Sequence, residues 1–420
     1  MPEKSYYRSM EIFPFVKEHT HGSTIVELDN GDLLSAWFQG SGERWADDVC
    51  IMGARLKKGG NKWSESFVMA DVPGFPDINP AMFIDSQNRL WLVWYTVIAN
   101  QWETSILKYR ISEDYMTLEA PVWVWQDVLH VKPGDPAERG IKPDDHFVKS
   151  VERQVEEYAK YLENSSIEDE QTVSEKVTKW REWGRDMISK AKGEDMIRKG
   201  YLYNGKENVE QPMGYPYFQR MGWQTKNKAV VIGNRIILPL YSDGFSFSLM
   251  AITDDFGKTW QFSEPLVGPG NIQPSIAKKA DGTLVAYMRD NGPPPKRLHI
   301  SESKDNGMTW SPVRDSELPN PGSGADVVTL SNGHWVLAYN DTEKGRHSLA
   351  VSISTDEGNS WSYTGHLELD SSGEKLSASY PSIIEGHDGT LHAVYSFTCR
   401  NIGETIKYAQ FNEEWVMGQA

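Results

Sequence analysis

Short apolar runs recur along this 420-residue chain, each behind a turn signal: Gly31 (DLLSAWF), Asn88 (RLWLVWY), Asn234 (RIILPLY), Gly282 (TLVAYM), Gly333 (HWVLAY) and Gly389 (TLHAVYSF). Each reads as a hairpin turn leading into a buried strand. A second pattern runs in step with the first. Thr253-x-Asp255-x-Gly257-x-Thr259-Trp260, Ser303-x-Asp305-x-Gly307-x-Thr309-Trp310 and Ser354-x-Asp356-x-Gly358-x-Ser360-Trp361 are near copies. In such a box the Asp carboxylate accepts backbone N–H groups within a tight turn, and Gly supplies a positive φ. The Trp is expected to be buried between neighbouring sheets. A degenerate copy, Leu56 to Trp63, keeps the glycines and the Trp without the Asp.

The box tryptophans return about every 50 residues, a blade-sized repeat. With six hairpins this predicts an all-β fold, a six-bladed β-propeller. The chain before His19 is expected to supply a strand that closes the last blade and hides its edge. The spacing fails once, between Asn88 and Asn234, where the pattern turns helical. Phe147, Val151, Val155, Tyr158 and Leu162 share one face, and Val173, Val177, Trp180 and Met187 share another. Residues 135–205 are therefore read as an α-helical insertion, with 1–134 forming blades 1 and 2 and 206–420 forming blades 3 to 6. The insertion is read as a packing appendage or homo-oligomer contact, or else as a lid. The following stretch, Gly214 to Arg220, fits either the insertion or the barrel.

Composition narrows the partners. The net charge is −16 and no basic cluster occurs, which argues against nucleic acid. No apolar run approaches the roughly 18 residues of a membrane span, and the first residues show no signal-peptide pattern. The compartment stays open. Cys50 and Cys399 are the only cysteines and are expected as two buried free thiols. The pair His19-x-His21 lacks a nameable third ligand, so neither metal nor cofactor is expected.

The boxes resemble those of the sialidase (neuraminidase) superfamily, especially bacterial BNR repeat-like proteins. That resemblance implies three arginines on a substrate carboxylate, a Tyr nucleophile paired with a Glu, and an Asp acid/base. The second arginine matches Arg289 in AYMRDNG, the third Arg346 in KGRHSLAVS, and the tyrosine Tyr380 in SASYPSIIEGHDG. The first arginine, normally in Arg-Ile-Pro, is replaced where the chain reads His19 to Val26, with His21 facing the site. The Glu partner falls on Gln273 in NIQPSI, and a glutamine is no base. The acid/base falls in Gly42 to Asp48, with Asp47 or Glu43 preferred and Asp48 adjacent.

Other polar positions near strand ends are candidate substrate contacts: Asn79, Tyr241, Asp243 and Asn340. His21 suits an acid or base near neutrality, and paired arginines suit a carboxylate. The expected function is exo-acting hydrolysis of a terminal acidic sugar. A polysaccharide lyase with a His or Tyr base, and a binding module without catalysis, are the alternatives.

Overall fold

The computed structural model describes residues 4–135, 141, 144–165, 169–193 and 217–419. Six antiparallel sheets form the blades of a β-propeller. From the axis outward, blade 1 holds His19–Glu27, Leu33–Gly40, Cys50–Leu56 and Phe67–Ala70. Blade 2 holds Asp77–Ile84, Leu90–Val97, Ser105–Asp114 and Val122–Val128. Blade 3 begins with only Trp223–Gln224, followed by Arg235–Ser242, Phe247–Thr253 and Gln261–Phe262, and Val230–Ile232 also pairs with its second strand. Blade 4 runs Asn271–Lys278, Leu284–Asp290, Arg297–Ser303 and Arg314–Pro319; blade 5 runs Asp326–Thr329, Trp335–Tyr339, Ser348–Ser354 and Tyr363–Leu369. Blade 6 holds Leu376–Glu385, Leu391–Cys399 and Gly403–Phe411, and Tyr7–Glu11 completes it as the outer strand.

The hairpins turn where the sequence places them. Gly31, Asn88, Gly282, Gly333 and Gly389 all take positive φ; in blade 3 the position moves one residue, to Gly233. At the other hairpin end the boxes close as expected. Asp305 accepts from Thr309 N and Oγ1 and from Ser303 Oγ, and Gly307 adopts φ 89°. The degenerate box recovers its missing carboxylate from Asp32, which accepts from Lys58 N at 2.8 Å and Lys57 Nζ at 2.9 Å.

Two expectations about burial need correction. Trp260, Trp310 and Trp361 are half-buried, because each lies at the solvent end of its box. Trp260 and Trp361 meet a neighbouring ring edge-on, Tyr109 at 6.2 Å and Tyr287 at 5.8 Å, and Trp310 Nε1 donates to Gly307 O. Tryptophans carried on the strands themselves, Trp37, Trp91, Trp94 and Trp335, fill the interior instead. Cys50 and Cys399 are free but half-buried. Burial, followed by nearby Asp71 and Asp77, pushes the Cys50 thiol up to about 11.

The insertion contributes α1 (His146–Ser165) and α2 (Glu170–Lys192), and a short α3 (Tyr217–Arg220) follows. Asp145 caps α1 by accepting from Phe147 N, Asp169 caps α2 by accepting from Thr172 N, and Gly193 at φ 70° ends it. These are ordinary start and stop signals. The apolar faces meet each other and the barrel. Trp180 Nε1 donates to Val155 O at 2.7 Å, and Phe147 packs on Phe245 and Phe247 of blade 3. Gln154 bridges to Pro265 O and Val267 N. Residues 214–216 lie outside the described residues.

Candidate functional site

Strand direction decides which side chains meet. Each innermost strand starts at one end of the propeller, each second strand returns to that end, and the boxes close the opposite end. Side chains early in first strands, late in second strands and in the next loop therefore converge.

Four innermost strands carry the same irregularity there. Register breaks between His21 and Thr24, Ile78 and Ala81, Ile272 and Ser275, and Ser379 and Ser382. One residue in each break has left-handed φ: Gly22 at 64°, Asn79 at 47°, Gln273 at 55° and Tyr380 at 54°. In three of them the next residue is proline, Pro80, Pro274 or Pro381. Proline cannot donate to a ladder and is at home in a bulge, and a bulge re-aims the side chain beside it. Blade 1 needs glycine because a Cβ at Gly22 would stand 2.4 Å from Asn79 Oδ1.

The re-aimed side chains form one wall of an axial cavity of about 230 Å³, lined by His21, Phe38, Glu43, Ile78, Asn79, Tyr95, Trp102, Tyr241, Asp243, Gln273, Arg289, Arg346 and Tyr380. The Tyr380 hydroxyl is its hub. It accepts from Arg289 Nη1 at 2.7 Å and from Gln273 Nε2 at 3.0 Å. Gln273 Nε2 also reaches Tyr241 OH at 3.3 Å, and Asn79 Nδ2 donates to Tyr95 OH at 3.1 Å. Arg346 stands with Cζ 5.3 Å from the Tyr380 ring centroid, and its Nη2 donates to Gly322 O at 3.2 Å. Among the described residues neither guanidinium forms an ion pair with a carboxylate. Asp290 and Asp326 are engaged elsewhere, with Lys296 and Lys228, and the carboxylates that share the cavity with the arginines are Glu43 and Asp243. Arg289 Nε and Asn79 Oδ1 are buried without a partner.

The titrating groups divide by side. His21 packs on the Tyr380 ring at 4.2 Å between centroids. Burial, then the charges of Arg346, His19, Lys226 and Arg289, holds its imidazole neutral, well below its usual range. Burial raises Asp243 to about 6 against the opposing charge of Arg289. Glu43 is held by His19 Nε2 at 3.2 Å, and its loop is pinned to blade 2 where Arg44 Nε donates to Asn100 O at 3.1 Å.

Most of the sequence-derived candidates meet here: His21, Glu43, Asn79, Tyr241, Asp243, Gln273, Arg289, Arg346 and Tyr380. Three do not. Asp47 is exposed outside the cavity. Asp48 is also exposed and spends its carboxylate on Ser41 N and Oγ, fixing the loop's own turn. Asn340 is fully buried behind the site, where its Nδ2 ties Ser348 O to Ala378 O. No described residue of α1 or α2 lines the cavity, although Lys190 of α2 donates to Gly244 O, next to Asp243. Phe38, Ile78, Tyr95 and Trp102 were missed. The recurring residue–Pro pair in the first strands was the available signal for this end of the barrel; the apolar lining residues carried none.

Comparison with known proteins agrees with this architecture. The family model for the BNR repeat-like domain matches residues 31–143 and 172–393. An anhydrosialidase of Macrobdella decora is 23% identical over 209 residues, covering 44% of this chain and 27% of that protein. A sialidase of Bacteroides fragilis is 29% identical over 125 residues, covering 28% and 22%. Each alignment thus spans about a quarter of the relative's length. Among solved structures, a leech intramolecular trans-sialidase in complex with 2,7-anhydro-Neu5Ac superposes with TM-score 0.65 at 13% identity, over 98% of this chain and 71% of that one.

Proposed function

The chain belongs to the BNR repeat-like domain family, and on that premise we propose that its axial pocket binds the terminal acidic sugar of a glycan and hydrolyses the bond behind it. The observation that carries this reading is the pair Arg289 and Arg346, which line one cavity and, among the described residues, form no ion pair with the two carboxylates, Glu43 and Asp243, that share it. Two half-buried cations on one cavity wall suit an anion from outside, and guanidinium matches a carboxylate through paired hydrogen bonds. A cavity of about 230 Å³ suits a single sugar ring, which favours action at a chain end.

Hydrolysis needs an acid for the leaving oxygen and a base for the attacking one. Asp243, raised to about 6 by burial, supplies the acid. Its proton passes to the glycosidic oxygen as the bond to the anomeric carbon breaks. His21, held neutral, takes the proton of the attacking oxygen, whether water or the Tyr380 phenol. Where that oxygen is the phenol, a second step completes hydrolysis: water gives a proton to the now ionised Asp243 as it attacks the anomeric carbon, and the departing phenolate recovers its proton from His21. Gln273 acts as a donor that orients Tyr380 and takes no proton itself.

A second reading draws on the same neutral His21. Beside an arginine-bound uronate carboxylate, a neutral imidazole suits abstraction of the α proton, the first step of a lyase. One experiment separates the two: incubate sialylated, glucuronylated and galacturonylated oligosaccharides with the protein, and follow both reducing sugar and the ultraviolet absorbance of an unsaturated product. Reducing sugar alone supports the hydrolase, and absorbance overturns it in favour of the lyase. Binding with neither product leaves a carbohydrate-binding module.

A further inference from the structure

Blade 3 departs from its neighbours at the axis. Its innermost strand is only Trp223–Gln224, after which the chain leaves the ladder and passes among the other blades. Thr225, Lys226 and Asn227 are buried there. What they touch is specific. Asn227 Nδ2 donates to Gln273 O at 3.2 Å and to Pro274 O at 3.0 Å, the carbonyls of the blade 4 bulge. Lys226 Nζ donates to Pro381 O, the carbonyl that follows Tyr380 in the blade 6 bulge, and to Asn227 Oδ1 at 2.9 Å. Lys228 turns away, to Asp326 Oδ2 at 2.5 Å and Ile383 O at 2.8 Å.

We propose that Lys226 and Asn227 are positioning residues of the axial pocket: from inside the channel they hold the two bulges that aim Tyr380 and Gln273. A bulge leaves carbonyls without ladder partners, and a buried carbonyl without a donor is costly. Here both bulges are satisfied by side chains of one short segment, so the aim of Tyr380 and that of Gln273 are set together. Simple filling of the channel would be served better by an apolar residue than by a lysine. Lys226 forms no ion pair among the described residues, and burial brings its amine down to about 7. Its Nζ also lies 5.8 Å from the Tyr380 ring centroid, within cation–π range.

The test follows Tyr380 itself and does not depend on the proposed substrate. Protein labelled with 3-fluorotyrosine gives a Tyr380 resonance identified by its loss in Tyr380→Phe. Lys226→Met and Asn227→Ala shift that resonance. Lys228→Met, with a comparable loss of thermal stability, leaves it in place. Where an acidic oligosaccharide is turned over, kcat in the first two variants falls on the order of tenfold to a hundredfold with KM little changed, as expected for a misplaced reacting group. Asn227→Asp, which keeps an acceptor for Lys226 and sets an oxygen against both carbonyls in place of the donor, is the second variant if Asn227→Ala does not fold. An unmoved resonance in folded variants overturns the proposal. So does equal collapse of all three positions, which would make the segment a packing plug. Failure to turn over any acidic sugar would count against the proposed function while the fluorine signal still decides this point.

Discussion

Arg289 and Arg346 come from different blades and reach one cavity, so each is expected to contribute separately to an anionic ligand. Arg289→Ala and Arg346→Ala should each weaken an acidic sugar by about 1.5–3 kcal/mol, the range for hydrogen bonds to charged groups, measured by calorimetry. The unfolding midpoint should change little, since neither side chain completes an internal ion pair. Asp243 sets a second expectation. Its carboxyl, raised to about 6 by burial, is protonated below that pH and ionised above it. As the acid for the leaving oxygen it should give a kcat that falls as pH rises through about 6, and Asp243→Asn should remove the activity along with that limb. His21 stays neutral over the same range and should add no limb. A flat profile between pH 5 and 8 (a window chosen about that value) would exclude Asp243 from this role. The sequence reading placed the acid at Asp47 or Glu43 and gave Asp243 only as a substrate contact, because nothing in the local pattern says which carboxylate is buried. Which carboxylate faces the axis depends on where a loop folds: Asp48 closes the turn on Ser41, and that turn leaves Asp47 outside.

At the scale of elements, hairpins and helices were legible because their causes are local. A positive-φ residue ahead of an apolar run makes a turn wherever it occurs, and two helical stripes with caps make two helices. The register breaks were legible only in part. Asn79-Pro80, Gln273-Pro274 and Tyr380-Pro381 stood in the sequence as separate fragments, and their common geometry appears only when the first strands stand side by side. The surface on which the insertion rests was not legible, because an apolar helical face does not name its partner. It rests on blade 3, where Phe245, Phe247 and Trp223 are all within 1% of full burial. Phe147, itself 1% exposed, joins the helices to that surface. Phe147→Ala should therefore cost about 3–5 kcal/mol, as for a large aromatic removed from a core, read by urea denaturation. A loss below 1 kcal/mol (well under the usual cost of an aromatic cavity) would mean that the helices are a loosely held appendage and that blade 3 stands without them.

For the whole molecule, the feature that must hold is ring closure, since an open junction exposes the apolar faces of two blades and loss of the closing strand exposes a sheet edge. Closure is made partly by strand pairing, where Tyr7–Glu11 lies antiparallel to Gly403–Phe411. It is made partly by charge at the junction of blades 6 and 1. His19, first residue of the blade 1 inner strand, has Nδ1 at 2.9 Å from Glu404 of blade 6 and Nε2 at 3.2 Å from Glu43. Thr20 N donates to the same Glu404 carboxylate. Burial disfavours the charge on His19, but the hydrogen bonds to Glu404 and Glu43 outweigh it and raise the imidazolium to about 9. A histidine whose folded value lies above its unfolded one stabilises the fold fully below about pH 6.5, and that contribution fades as pH rises through about 9. The same sign holds for His299, where burial disfavours the charge but Asp290 at 3.5 Å and Asp315 at 3.0 Å outweigh it and raise the imidazolium to about 9. These two contributions should thus be lost from about pH 6.5 to 9, offset in part by Lys226, whose amine, lowered to about 7 by burial, adds stability as pH rises above that value. His19→Gln should flatten the part of the histidine decline that is not due to His299. Because His19 is partly exposed, salt should reduce its share. The measurement is the urea midpoint against pH for wild type, His19→Gln and His299→Gln. Parallel curves for wild type and His19→Gln would show that the junction closes by strand pairing alone, with Glu43 placed in the pocket by its loop and not by the histidine.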